Sequence, residues 1–155
     1  MEKYNDVEIV YLVHLNPAVR DTVYKILGDL ERVHLLDPLD TKETHNLMNK
    51  CYMLMTDSGG LQEEAPHLGK PVLVLRDVTE RPEAVKVGTV RLVGTDKKVI
   101  VKEACDLIEN KQKYDNMSKA INPYGDGKAS SRIVDSILYY FGKTEKRPKE
   151  FYVNK

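Results

Sequence analysis

The stretch TDSGGLQEEAPHLGKPVLV, residues 56–74, links two short apolar segments through a glycine pair and a run of helix-forming residues. The segments at 52–56 and 71–75 have the length and apolar character of buried strands. Residues 61–68 between them predict a short helix, which Gly69 ends and in which Pro66 limits the length or introduces a kink. A strand, a helix and a second strand in this order are typical of a parallel sheet.

The same alternation of strands and helices continues on both sides of this stretch. Further strands are predicted at 7–13, 32–36 and 89–93, the first of them buried. Helices are predicted at 18–27, 41–50 and 111–120, after the capping residue Asp96, and across the amphipathic segment 133–141. This pattern indicates an α/β fold with a mainly parallel sheet and helices on both faces. We expect one domain over residues 1–142 and a polar tail over residues 143–155.

Charge and composition exclude several classes of partner. The 155 residues include 24 basic and 24 acidic side chains, so neither nucleic acid nor an anionic membrane is indicated as a partner. The apolar segments are strand-sized, and the first residues have no signal-peptide pattern. Cys51 and Cys105 form no metal or redox motif, which indicates reduced thiols in a cytoplasmic protein. We expect no metal site and no cofactor.

The turn after the strand at 52–56 is a candidate anion site. Ligands of parallel sheets bind beyond the carboxyl ends of the strands, and Ser58, Gly59 and Gly60 lie there at the start of a helix. Backbone N–H groups at a helix N-terminus attract anions, and glycine lets phosphate oxygens approach the backbone. The alternative is a tight turn that the Ser58 side chain caps.

Two adjacent carboxylates follow this turn. Glu63 and Glu64 could simply stabilise the start of a helix through its dipole. A carboxylate one turn below a phosphate site can also accept hydrogen bonds from ribose hydroxyls, as in dinucleotide-binding folds. Only one of the two can face a ligand, because adjacent helical residues point about 100° apart.

Three sequence runs together resemble one enzyme family. They are residues 56–96, which begin T-D-S-G-G-L-Q-E-E and include T-E-R-P-E-A-V, V-H-L-N-P-A-V-R at 13–20, and N-P-Y-G-D-G-K-A at 122–129. They resemble the non-hydrolysing UDP-N-acetylglucosamine 2-epimerases, which have two Rossmann-like domains of the GT-B type. The resemblance implies that this chain is most of the C-terminal, UDP-binding domain of an isomerase involved in cell-surface polysaccharide biosynthesis.

The resemblance also implies roles for single residues. Ser58, Gly59 and Gly60 would hold the diphosphate of UDP, and Glu64 would hold the ribose hydroxyls. Arg81 would lie at the same strand ends and bind UDP, with a loop salt bridge as the alternative. In bacterial members the histidine that matches His14 helps to bind a second, activating UDP-N-acetylglucosamine. The alternative for His14 is a histidine bonded to a nearby loop.

Two departures from the family pattern limit the expected function. Nothing like the family's catalytic His-Arg-Arg-Glu motif or its N-terminal domain precedes Met1, so we expect a fragment, a split gene product or a shortened form. The family eliminates UDP to a glucal and re-adds it, which needs acid and base groups that no residue here supplies. The chain should therefore be inactive without the missing N-terminal domain, and the complete enzyme is expected to be a homodimer.

The second departure concerns the base. Relatives usually have an aromatic residue that stacks on uracil where this chain has Thr44, so backbone groups near Leu36 and Asp37 are the alternative contacts. The missing strand would also leave a gap between the strands at 7–13 and 52–54, unless these pair directly. Two other functions remain open at this stage: half of a UDP-sugar glycosyltransferase, and a non-catalytic nucleotide-binding module.

Overall fold

Residues 3–152 are described by a computed structural model. The helices and strands are β1 (Ile9–Leu12), α1 (Pro17–Leu27), β2 (Val33–Leu36), α2 (Thr41–Lys50), β3 (Leu54–Thr56), α3 (Gly59–His67), β4 (Val72–Val74), α4 (Pro82–Val87), β5 (Val90–Leu92), α5 (Lys97–Glu109), α6 (Lys111–Ser118) and α7 (Ala129–Tyr140). They divide between two compact units, one ending at Leu47 and one beginning at Met48. Every strand pair is parallel, which confirms the predicted α/β class.

The first unit contains a two-stranded sheet of β1 and β2. Ile9 is opposite Val33, and Leu12 is opposite Leu36. The following helix α1 begins as predicted, because the Asn16 side chain accepts a hydrogen bond from the Ala18 N–H at 3.0 Å and Pro17 occupies the first turn.

The prediction of a buried first strand was wrong. Ile9 and Val10 are each 42% exposed, and Tyr11 is 37% exposed. The cause is the sheet itself: among the described residues β1 pairs with β2 only, whereas a strand is buried when it has neighbours on both edges and helices on both faces. The apolar sequence of β1 is that of an inner strand, but its place is at an edge.

The second unit contains the sheet β3-β4-β5, with β4 in the centre. All three residues of β4 are buried, and they alternate between two clusters of the core. Val72 and Val74 pack with Ala65 of α3 and Ala84 of α4. Leu73 faces the other way and packs with Leu107 of α5. Helices therefore cover both faces of this sheet, as predicted.

Glycines end two of the helices that surround the candidate site. Gly88 follows α4 with a φ of 83°, a left-handed conformation that favours glycine. Gly69 follows α3 with a φ of 67°, and a Cβ there would lie 3.3 Å from the Ser118 carbonyl oxygen. Pro66 lies in the last turn of α3 and is buried, so the helix ends near it as predicted.

The segment after α7 contains neither helix nor strand over residues 143–152. The Arg132 guanidinium lies 5.4 Å from the centre of the Phe151 ring, so this segment contacts α7. Residues 153–155, the end of the predicted tail, lie outside the described residues. No helix within residues 3–152 has the length and apolar character that crossing a membrane requires.

Candidate functional site

Two segments leave the carboxyl edge of the second sheet side by side. Thr56 and Val74 are register partners at the ends of β3 and β4. The turn 57–60 follows β3 and leads into α3, and the segment 75–81 follows β4 and leads into α4. The geometry of a parallel sheet therefore brings the predicted phosphate turn and the predicted Arg81 segment to one edge.

The turn is held by the Thr56 hydroxyl rather than by a serine cap. The Ser58 N–H donates to Thr56 Oγ1 at 3.0 Å, and Ser58 has an extended conformation with a φ of −77° and a ψ of 129°. Its side chain makes no capping hydrogen bond to α3, although it is in the N-cap position. This argues against the alternative of a serine-capped turn. The first-turn N–H groups of α3 and the Ser58 hydroxyl together form an arrangement that suits an anion.

Gly59 has a close neighbour in the adjacent segment. A Cβ built on Gly59 would lie 2.5 Å from Glu80 Oε1, so a larger residue at position 59 would require the half-exposed Glu80 side chain to move. Glu80 is itself paired with Arg76 at 3.2 Å. The sequence indicated close approach of a phosphate as the reason for this glycine, and the structure adds a contact with a carboxylate of the neighbouring segment.

Arg81 lies against α3 through an ion pair with Glu63. The Arg81 Nε donates to Glu63 Oε1, and about a third of each side chain is exposed. This hydrogen bond raises the pKa of the Arg81 guanidinium above its usual value. The salt bridge that we considered as the alternative for Arg81 is therefore present, and it fixes the direction of the guanidinium.

The two adjacent carboxylates of α3 diverge. Glu63 is directed at Arg81, whereas a carboxylate oxygen of Glu64 lies 3.8 Å from a Cβ built on Gly60. Adjacent helical positions differ by about 100°, which accounts for the divergence. Glu64, which is exposed, is thus the carboxylate beside the glycine turn.

The residues of interest in the first unit have local partners. His14 accepts a hydrogen bond through Nδ1 from the Asn16 N–H at 3.1 Å, so Nε2 carries the proton of the neutral ring. This is the loop contact that we considered as the alternative for His14. Arg20 pairs with Asp37 at 2.5 Å, and Thr44 is half-buried on α2.

Sequence reasoning missed several residues that shape this site. Gln62 and Thr79 connect the two segments by hydrogen bonds, and the Tyr124 hydroxyl donates to the Arg81 carbonyl oxygen at 3.5 Å. Burial raises the pKa of the Tyr124 phenol. All three lie within the sequence runs that carry the family resemblance, but no local sequence pattern singles out any of them. Within residues 3–152, no group of three or more His, Cys, Asp or Glu side chains could hold a metal ion.

Comparisons with known proteins agree on one family. The sequence model described as UDP-N-acetylglucosamine 2-epimerase matches residues 1–138. A curated relative from Clostridium acetobutylicum is 73% identical over 150 residues, which are 97% of this chain and 39% of the relative. The UDP-N-acetylglucosamine 2-epimerase of Bacillus subtilis is 52% identical over 149 residues, which are 96% of this chain and 39% of that enzyme.

Solved structures give the same result. The S. aureus protein MnaA, in a co-structure with UDP, has a TM-score of 0.90 and 49% identity to this chain. The match covers 97% of this chain and 41% of that one. The chain thus spans about two fifths of the length of the relatives that it matches.

Proposed function

The chain belongs to the UDP-N-acetylglucosamine 2-epimerase family, and we propose that it is the UDP-binding part of such an isomerase. The complete enzyme interconverts UDP-N-acetylglucosamine and UDP-N-acetylmannosamine by eliminating UDP and adding it back. Because these residues match only 39% of the Bacillus subtilis enzyme, the binding of UDP is assigned to this chain and the chemistry on the sugar is not. Membership of this family favours the epimerase over a glycosyltransferase half-domain.

The proposal is supported mainly by the two segments 57–60 and 75–81, which lie side by side at the carboxyl edge of the second sheet. The Ser58 hydroxyl does not cap α3, so it can donate to a phosphate oxygen together with the N–H groups of Gly59 and Gly60. Arg81 follows the adjacent strand and carries the positive charge that a diphosphate requires. Glu63 accepts from the Arg81 Nε, and the Glu80 carbonyl oxygen accepts from Nη1 at 3.3 Å, which leaves Nη2 of the guanidinium to face the ligand.

Glu64 completes the nucleotide site by binding the ribose. It lies beside the glycine turn, so it can accept hydrogen bonds from the 2′ and 3′ hydroxyls while the turn holds the diphosphate. No cofactor or metal ion takes part.

The complete enzyme needs partners beyond these residues. The N-terminal region found in the relatives supplies the acid and base groups, and two complete enzymes form a homodimer in the cytoplasm, in a pathway to cell-surface polysaccharide. His14, with the proton on Nε2, binds a second UDP-N-acetylglucosamine as an activator. Residues 1–142 form the nucleotide domain, and residues 143–155 form its polar tail.

Calorimetry with UDP, GDP and ADP tests the proposed nucleotide class. The chain should bind UDP in preference to the other two, with low affinity because the other half of the cleft is absent. Uridine recognition would be refuted if all three nucleotides bound equally well. A failure of all three to bind would remove the diphosphate site as well.

A further inference from the structure

Gln62 is a fully buried polar side chain in the first turns of α3. Its exposed fraction is 0%, although its neighbours Glu63 and Glu64 both reach solvent. A buried amide without partners would destabilise the fold, and leucine or methionine would fill a similar volume with no polar atoms to satisfy. Its hydrogen bonds therefore decide what this glutamine contributes.

The Gln62 amide joins the two segments of the candidate site. Gln62 Nε2 donates to the Ser58 carbonyl oxygen at 3.2 Å, and Thr79 Oγ1 donates to Gln62 Oε1 at 2.6 Å. The Thr79 hydroxyl also accepts a hydrogen bond from the Arg81 N–H at 3.0 Å. One continuous chain of hydrogen bonds thus runs from the backbone of Ser58 to the backbone of Arg81.

The partners leave one orientation for this amide. The Ser58 carbonyl oxygen can only accept, so the nitrogen of the Gln62 side chain must face it. The oxygen then faces Thr79, whose hydroxyl donates its single hydrogen there and accepts from Arg81 through a lone pair. Each of these nitrogen and oxygen atoms has at least one hydrogen-bond partner, and such a connected network stiffens the segments that it joins.

We propose that Gln62 is a positioning residue that sets the spacing between the Ser58 turn and Arg81. The inference rests on the proposed function, in which Ser58 and Arg81 bind the phosphates of one UDP. A diphosphate has a fixed length, so its binding depends on the distance between the groups that hold it. Gln62 itself is buried beneath the site and touches no ligand. Because the Ser58 turn and Arg81 meet only the phosphates, a change in their spacing alters diphosphate binding and leaves nucleoside binding unchanged.

The test uses a matched pair of substitutions at Thr79. Thr79→Val keeps the shape of the side chain and removes the hydroxyl, whereas Thr79→Ser keeps the hydroxyl. We expect Thr79→Val to weaken UDP binding about threefold to tenfold, the effect of one or two neutral hydrogen bonds. Thr79→Ser should bind UDP as the original chain does. Both variants should bind uridine unchanged, since uridine has no phosphate.

A substitution at Gln62 interrupts the same series of hydrogen bonds at a different residue. Gln62→Met should lower UDP affinity by a similar factor and leave uridine affinity intact. The double variant Gln62→Met, Thr79→Val should be no weaker than either single variant, because both break one connected unit. If Gln62→Met does not fold, the pair at Thr79 still decides the question.

Three outcomes would overturn the inference. Equal losses for uridine and UDP would mean that the variants damage the fold as a whole. Unchanged UDP binding in Thr79→Val would mean that the spacing does not depend on this chain of hydrogen bonds. If the unaltered chain bound UDP no more tightly than uridine, the diphosphate site itself would be absent, and the proposed function would fail together with this inference.

Discussion

A substitution at Ser58 should affect UDP affinity and the free energy of unfolding differently. An N-cap serine usually contributes about 0.5–2 kcal/mol to stability, but the Ser58 side chain makes no capping hydrogen bond. We therefore expect Ser58→Ala to change the free energy of unfolding by less than about 0.5 kcal/mol. It should weaken UDP binding about threefold to tenfold, because a donor to phosphate is lost. Chemical denaturation and calorimetry measure the two effects.

Asp96 provides the matched control for this substitution. Its carboxylate caps α5 by accepting hydrogen bonds from the N–H groups of Lys98 and Val99 at 2.8 and 3.1 Å. Asp96→Ala should cost about 1 kcal/mol of stability and leave UDP affinity unchanged. If Ser58→Ala destabilised the chain as much as Asp96→Ala does, the serine hydroxyl would be a cap and not a phosphate ligand.

Glu63 and Glu64 should respond differently to two ligands. Glu64→Gln removes the proposed ribose acceptor, so uridine and UDP should both bind about tenfold to hundredfold more weakly. Glu63→Gln removes the ion-pair partner of Arg81, whose proposed ligand is the diphosphate alone. UDP affinity should therefore fall while uridine affinity stays the same. Calorimetry with both ligands makes the comparison, and equal effects of the two substitutions on uridine would contradict the ribose role of Glu64.

The sequence predicted the position of this site better than its internal contacts. A strand followed by Ser58, Gly59 and Gly60 indicates a helix N-terminus, because glycines and a serine have strong backbone preferences there. The pairing of Glu63 with Arg81 joins residues 18 positions apart, and no local pattern indicates it. The same holds for Gln62, whose polar side chain gives no sign in the sequence that it is fully buried.

The start of α7 contains an ion pair that should make its stability depend on pH. Both terminal nitrogens of Arg132 donate to the carboxylate of Asp126 at 2.7 Å. This contact holds the pKa of Asp126 well below its usual range. A carboxylate whose pKa is lowered by folding adds stability at pH values above its unfolded pKa of about 4. That contribution is lost as the pH falls from there through the lowered pKa.

Asp126→Asn tests this element directly. The variant should melt at a lower temperature than the original chain at pH 7, and the difference should shrink steadily once the pH falls below about 4. Arg132→Met removes the same pair from the other side and should show the same dependence on pH. A difference in melting temperature that stayed constant from pH 7 to pH 2 would rule out this ion pair as its source.

The elements were predicted well where the sequence has caps and stops, and less well where burial depends on neighbours. Asn16 and Asp96 begin α1 and α5 as predicted, because a capping side chain acts on its own helix. β1 has the apolar sequence of an inner strand, yet Ile9 and Val10 are exposed. Sequence alone predicts the strand, but which strands lie beside it is a property of the whole sheet.

On the scale of the molecule, the five strands found within residues 3–152 form two separate sheets instead of one. The sequence predicted parallel pairing throughout, and each pair is parallel. It also predicted that a gap could separate the first strand from β3, and these strands belong to different sheets.

The 155 residues alone should bind UDP but should not epimerise a UDP-sugar. Epimerisation needs acid and base groups placed against the sugar ring, and the residues proposed here bind only the nucleotide. The purified chain should therefore return UDP-N-acetylglucosamine unchanged, even at concentrations that saturate UDP binding. Chromatography of the nucleotide sugars after long incubation measures this, with the Bacillus subtilis enzyme as the positive control. UDP-N-acetylmannosamine from the chain alone would mean that catalytic groups lie within these residues.

The proposed division of roles also predicts that a separately produced N-terminal region of a relative restores the reaction. In this proposal that region supplies the acid and base groups, and Ser58 and Arg81 hold the nucleotide. If it did not, although both parts bound each other and UDP, the division of roles between the two regions would be wrong.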